Sequence, residues 1–115
     1  MRSLLEMCVV VALLGSGVSC GGSSLSCEDL CAKIRACDGG TGDWSAICAT
    51  QCANSSTLNS AAGCTSAFSD ELSCAGDHQD QICVRNTTVC ASQVSAYTAC
   101  TSNYCAAHAG APGCP

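Results

Sequence analysis

The chain has 115 residues, a formal net charge of −5 and 14 cysteines, which is a suitable length for one domain. Only 4 Lys and Arg stand against 9 Asp and Glu, so the composition excludes nucleic acid as a partner, because binding phosphates requires clustered positive charge. Leu, Ile, Val and Phe number only 11 from residue 20 onward. So few apolar residues cannot hold a domain together alone, and small exported proteins compensate with disulfides.

The N-terminus has the pattern of an export signal. A charged start at Arg2 precedes an apolar run over residues 7–14 and a small-residue stretch that ends at Cys20. The run is too short to cross a bilayer as a helix, so we expect residues 1–19 to be a signal peptide. Two processing sites are open: signal peptidase could cut after Ser19, or Val18-Ser19-Cys20 could be a bacterial lipobox, in which Cys20 becomes the lipidated first residue.

Counting cysteines favours the lipobox. Cys8 leaves with the signal peptide, and the remaining 13 cysteines are an odd number, which is awkward in an oxidising compartment. If Cys20 carries lipid, 12 remain for six disulfides. We therefore predict lipidation of Cys20, a flexible tether over residues 20–26 and a disulfide-rich domain over residues 27–115. Gly21 lacks the Asp-type signal for retention at the inner membrane, so we expect an exported lipoprotein of the bacterial outer membrane or cell surface.

The domain is predicted to be all-α, with about four helices, and to begin with an antiparallel hairpin. The first helix should have Ser26 as its N-cap and bury a stripe formed by Cys27, Leu30, Cys31, Ile34 and Cys37. Cys48 and Cys52 repeat the spacing of Cys27 and Cys31, and four residues are about one helical turn. Antiparallel packing places Cys27 opposite Cys52 and Cys31 opposite Cys48, so these two Cx3C motifs are expected to form two disulfides.

Further helices follow from the apolar spacing. The second helix is expected to start at Asp43 as N-cap and to end at a polar break over residues 54–57. The third is predicted over residues 59–75, with an irregular segment at 77–86 after it. The fourth should start near Thr87 or Thr88, bury a face that includes Val94 and stop before Gly110.

Eight more cysteines are expected to form disulfides in an order that the residues leave open: Cys37, Cys64, Cys74, Cys83, Cys90, Cys100, Cys105 and Cys114. Residues 27–52 resemble the twin Cx3C hairpins of α-hairpinins and of small mitochondrial translocase chaperones. Residues 64–100 look like a twin Cx9C pair. Both kinds of hairpin join the first cysteine to the fourth and the second to the third. Cys37 and Cys83 fit neither pattern, so we interpret these likenesses as convergence.

Over its whole length the chain resembles the small Cys-rich lipoproteins of myxobacteria. Those proteins have a signal that ends in Cys-Gly-Gly-Ser, here residues 20–23, and then a helical domain that opens with Cx3C. The resemblance implies a location in the cell envelope and no particular activity.

Catalytic, cofactor and metal sites are not expected. The sequence has no Cx2C motif, which zinc knuckles and redox centres use. The two histidines, His78 and His108, lack a free cysteine as partner, and the acidic loops at 38–43 and 77–80 do not have EF-hand spacing. We therefore expect a non-enzymatic, lipid-anchored envelope protein that has a structural role or binds a protein or surface partner. The alternative is a secreted inhibitor or antimicrobial protein released by cleavage after Ser19.

Overall fold

Four α-helices make up the fold, and the computed structural model describes residues 24–115. A single 3₁₀ turn lies between the third and fourth helices, and no strand occurs in the described range. The elements in chain order are α1 (Cys27–Ala36), α2 (Ser45–Ala62), α3 (Thr65–Asp77), the 3₁₀ turn (Gln79–Gln81) and α4 (Ala91–Ala107). The prediction of a small all-α, disulfide-rich domain is confirmed. The predicted signal peptide, the lipidation of Cys20 and the tether residues before Ser24 lie outside the described residues.

Helices α1 and α2 form the predicted antiparallel hairpin. The Ser26 hydroxyl accepts a hydrogen bond from the Asp29 amide at 3.0 Å, which satisfies one of the free N–H groups at the start of α1. Cys27 is bonded to Cys52 and Cys31 to Cys48, with Cα–Cα distances of 5.8 and 5.7 Å. Both predicted disulfides are therefore present, and they join the two helices one turn apart.

Helix α2 is longer than the sequence indicated, since it continues through the predicted polar break at residues 54–57. The Thr57 hydroxyl donates to the Ala53 carbonyl at 3.1 Å, so this polar side chain bonds within the helix and does not interrupt it. The helix ends at Gly63, where φ is +70° and the amide donates to the Asn59 carbonyl. Glycine adopts this left-handed conformation without steric cost, so α3 starts at Thr65 and not near residue 59.

Helices α3 and α4 form a second hairpin, which is also held by two disulfides. Cys64 is bonded to Cys100 and Cys74 to Cys90, which is the first-to-fourth and second-to-third order of a twin Cx9C pair. The rings of Phe68 and Tyr97 pack between these helices with centroids 4.9 Å apart. Helix α4 starts at Ala91, later than predicted, because the chain before it turns to bring Cys90 to Cys74.

Of the two further disulfides, one connects the two hairpins and the other fixes the C-terminal tail to α4. Cys37, just after α1, is bonded to Cys83 in the loop before α4, and Cys105 in α4 is bonded to Cys114 in the C-terminal tail. All twelve cysteines in the described part of the chain are thus paired.

The core is very small. Its buried apolar side chains are Cys48, Cys52, Leu58, Cys64 and Ala75. Three of these five are half-cystines, so the disulfides fill the interior as well as joining the helices.

Candidate functional site

The thiol chemistry that a cysteine-rich sequence raises is not available in the folded domain. Every cysteine between residues 27 and 114 is in a disulfide, and a disulfide sulfur is neither a thiolate nucleophile nor a metal ligand. Within residues 24–115 no group of three or more His, Cys, Asp or Glu side chains is placed to hold a metal ion. Six disulfides indicate that the protein folds in an oxidising, extracellular environment.

The two histidines lie apart. His108 follows α4, and its Nδ1 lies 3.0 Å from the Tyr104 carbonyl oxygen, while its ring stacks on Tyr104 at 4.2 Å between centroids. Since a carbonyl oxygen only accepts, Nδ1 carries the proton in this contact. His108 is thus the residue that ends α4. His78 is exposed and directly follows α3.

An apolar groove runs between the two hairpins of the described domain. Helix α1 forms one wall, α3 the floor, and the loop before α4 with the first turn of α4 the other wall. The groove encloses about 160 Å³. Its aliphatic lining consists of Leu30, Ile34, Ala75, Ile82, Val89 and Val94. Its polar lining consists of Glu71, His78, Gln81 and Thr87.

Several of the aliphatic side chains are strongly exposed to water. Ile34 is 51% exposed, Val94 45% and Val89 42%. The sequence placed Ile34 and Val94 on buried helix faces, and that prediction was wrong. The loop between α3 and α4 contains Val89 and leaves Ile34 and Val94 largely uncovered. It is tied to the end of α1 by Cys37–Cys83 and to α3 by Cys74–Cys90.

Glu71 gives this groove its one carboxyl group. Glu71 and Ala75 are four residues apart on α3, so both lie on the helix face that forms the floor. The side chain is half-buried, and its Oε2 atom is shielded from solvent and has no hydrogen-bond partner. Burial raises the pKa of Glu71 above its ordinary value, since desolvation disfavours the charged form. The groove therefore holds a carboxyl group with one shielded oxygen that accepts no hydrogen bond.

A small polar cluster lies beside Glu71, where α2, α3 and α4 meet. Burial raises the pKa of the Tyr97 phenol, hydrogen bonds with the Asn59 and Ser55 side chains lower it, and the negative charge of Glu71 raises it. Asn59 is only 3% exposed, and its Oδ1 atom has no hydrogen-bond partner. Glu71 thus lies between an apolar groove and a polar interior, and no Lys or Arg side chain lines the groove with it.

None of the residues that line the groove was predicted from the sequence to form a binding site. The one available signal was the position of Glu71, next to Leu72 in a helix that has to bury much of its surface.

Another depression, of about 380 Å³, lies beside Trp44 and carries Glu28, Asp29 and Asp43. The Arg35 guanidinium covers the Trp44 ring at 5.6 Å from its centroid, so a cation from this chain already occupies the aromatic face.

Comparison of the chain with known proteins identifies no related protein. No protein-family model, no curated protein and no solved structure matches the chain. Among the described helices none is both long enough and apolar enough to cross a membrane. The class of protein that the fold defines is a small, all-helical domain held together by six disulfides.

Proposed function

We propose that this protein is a non-enzymatic module of the bacterial cell envelope, anchored by a lipid on Cys20, that binds a partner through its helical domain. The observation that carries the proposal is the complete internal pairing of the twelve cysteines from Cys27 to Cys114. No cysteine of the folded domain is left to pair with Cys20. In an exported protein an extra cysteine that directly follows a signal peptide is accounted for by lipidation.

The N-terminal sequence supports the same proposal. Val18-Ser19-Cys20 follows an apolar segment and precedes a glycine- and serine-rich stretch, which is a flexible tether by composition. A tether of this kind keeps a domain mobile near a membrane surface. The lipid is then the contact with the membrane, and Gly21 after the modified cysteine favours the outer membrane or the cell surface.

The chemistry of the described domain supports a binding role over catalysis. The groove is lined mostly by aliphatic side chains, which bind by excluding water and provide neither a nucleophile nor a metal ligand. Its single carboxyl group has no adjacent acid or base on the same helix face except His78 at the rim. A surface of this type recognises the shape and charge of a partner.

The decisive experiment is the intact mass of the processed protein, before and after reduction and alkylation. We expect a chain that starts at Cys20 with a diacyl or triacyl increment, and twelve thiols that appear only after reduction. A Cys20→Ala variant should lose the acyl mass and no longer be retained by the membrane fraction. An unmodified chain with one thiol reactive before reduction would overturn the anchored form and favour the secreted alternative, cleaved after Ser19.

A further inference from the structure

We propose that the groove between the hairpins binds a small cationic amphiphile. Such a ligand places an aliphatic chain of about six carbons against Leu30, Ile34 and Val94, and a protonated amine against the Glu71 carboxyl group. The inference deepens the proposed binding role by naming the class of ligand. It does not depend on the lipidation of Cys20.

The aliphatic part follows from the size and lining of the groove. Its 160 Å³ is close to the roughly 150 Å³ of an engineered apolar cavity that accommodates benzene, a body of six carbons. Ile34, Val89 and Val94 remain between 42% and 51% exposed, so a ligand that covers them removes apolar surface from water, which is favourable. The volume is below the roughly 300–1,000 Å³ of typical pockets for drug-sized molecules, so the groove itself accommodates only a short chain.

The cationic part follows from Glu71. A shielded carboxyl oxygen without a hydrogen-bond donor is unusual in a folded protein and is destabilising. No Lys or Arg side chain lines the groove to neutralise it, and the chain as a whole carries a net charge of −5. An ammonium group on the ligand supplies both the missing donor and the missing charge. A fatty acid of the same length would instead bring a second carboxylate next to Glu71.

The test uses three probes on the processed, disulfide-intact protein near neutral pH. Hexylammonium contains both proposed features, hexanoate has the wrong charge, and methylammonium lacks the chain. Binding is followed through the backbone amide shifts in two-dimensional NMR spectra. We expect hexylammonium to shift amides around Leu30, Ile34, Ala75 and Val94, and to bind at least about tenfold more tightly than either other probe.

Two variants separate the carboxyl group from the overall charge. Glu71→Gln should reduce the preference for hexylammonium over hexanoate to about twofold or less. Glu28→Gln is the matched control, because it removes the same charge from an exposed position outside the groove, and it should keep the full preference.

Four results would overturn the proposal: no shifts with hexylammonium, equal binding of hexanoate, equal binding of methylammonium, or equal effects of the two variants. Each can occur while the mass measurement still finds a lipidated Cys20, and each expected result can occur without it. Failure of the ligand assignment and failure of the anchored-envelope proposal are therefore distinguishable.

Discussion

At the scale of single residues, Gly113 shows how closely the C-terminal tail lies on α2. Its φ is +86°, and a Cβ atom there would lie 2.9 Å from the Leu58 Cβ and 3.2 Å from the Asn54 carbonyl oxygen. Gly113→Ala therefore combines backbone strain with a steric clash against a buried leucine. We expect it to lower the free energy of unfolding by about 2–4 kcal/mol, of which about 1–2 is strain, in urea denaturation of the oxidised protein.

Gly110 offers the matched control for this prediction. Its φ of +79° is nearly the same, but a Cβ atom would meet nothing within 4 Å. Gly110→Ala should therefore lose only the strain contribution, about 1–2 kcal/mol. Equal losses in the two variants would mean that the tail is not packed on Leu58 in solution.

The ionisation of Glu71 predicts a dependence of stability on pH. Because burial raises the pKa of Glu71 from its ordinary 4.5, the folded state holds this proton more tightly than the unfolded state does. The stabilisation is fully present below pH 4.5 and is lost as the pH rises through the folded-state pKa. Glu71→Gln should therefore be more stable than the parent protein at neutral pH, and the two should converge in acid.

This difference is measured by urea denaturation of both proteins from acid to neutral pH. Titrating groups that do not interact with Glu71, including Asp43, whose pKa is lowered by its hydrogen bonds with Ser45, contribute equally to both chains and cancel in the comparison. Glu28→Gln should show no gain of stability at neutral pH. A Glu71→Gln variant that is less stable than the parent at neutral pH would show that the carboxylate has a stabilising partner.

At the scale of elements, the Cys37–Cys83 disulfide joins the first hairpin to the loop that forms one wall of the groove. It links residues 46 apart, whereas Cys105–Cys114 links residues only 9 apart. In the chain-entropy account a disulfide restricts the unfolded chain more when its loop is longer. We expect a Cys37→Ala/Cys83→Ala protein to lose about 1 kcal/mol more stability than Cys105→Ala/Cys114→Ala.

Denaturation of the two double variants checks the order, with the other five disulfides verified by mass spectrometry. Removing Cys37–Cys83 should also shift the amide signals of Ile34 and Val89, which lie on facing walls of the groove. Removing Cys105–Cys114 should leave those signals unchanged. The reverse order of stability would indicate that the Cys105–Cys114 disulfide of the tail, and not the Cys37–Cys83 disulfide, limits unfolding.

The helices also show which features the sequence could predict. The two Cx3C disulfides were predictable because a four-residue spacing places both thiols on one helix face, and this holds whatever surrounds the helix. The end of α2 was not predictable from the sequence. Residues 54–57 look like a break in the helix, but the helix ends at Gly63, which has a left-handed backbone conformation. Residue types that favour turns are tolerated within a helix when packing and disulfides on both sides hold it.

The groove lay beyond prediction for a different reason. Its walls come from α1, α3 and the loop before α4, and their arrangement depends on the Cys37–Cys83 and Cys74–Cys90 pairings, which spacing alone left open. Helical periodicity correctly grouped Leu30 with Ile34. It assigned that face to a core, since periodicity identifies an apolar face and not what covers it.

At the scale of the whole molecule, disulfides provide most of the stabilisation that buried apolar side chains provide in ordinary domains. Of the 11 Leu, Ile, Val and Phe residues downstream of residue 20, only Leu58 is buried, and Ile34, Ile47, Val84, Val89 and Val94 are markedly exposed. Ordering each residue costs about 1–2 kcal/mol of conformational entropy, and so little apolar burial cannot offset that cost. The disulfides reduce the entropy of the unfolded chain and also supply Cys48, Cys52 and Cys64 to the interior.

Reduction should therefore unfold the protein completely. We expect a phosphine reductant, followed by alkylation, to abolish the helical circular-dichroism signal and the thermal transition at neutral pH. Both steps matter, because reduction removes the cross-links and alkylation adds polar bulk where Cys48 and Cys64 are each only 1% exposed. The control is the same alkylation without reductant, which should change nothing, since every cysteine from Cys27 to Cys114 is already paired. A reduced and alkylated chain that kept its helices would mean that helix propensity and the few apolar contacts suffice. The six disulfides would then stabilise a fold that forms without them.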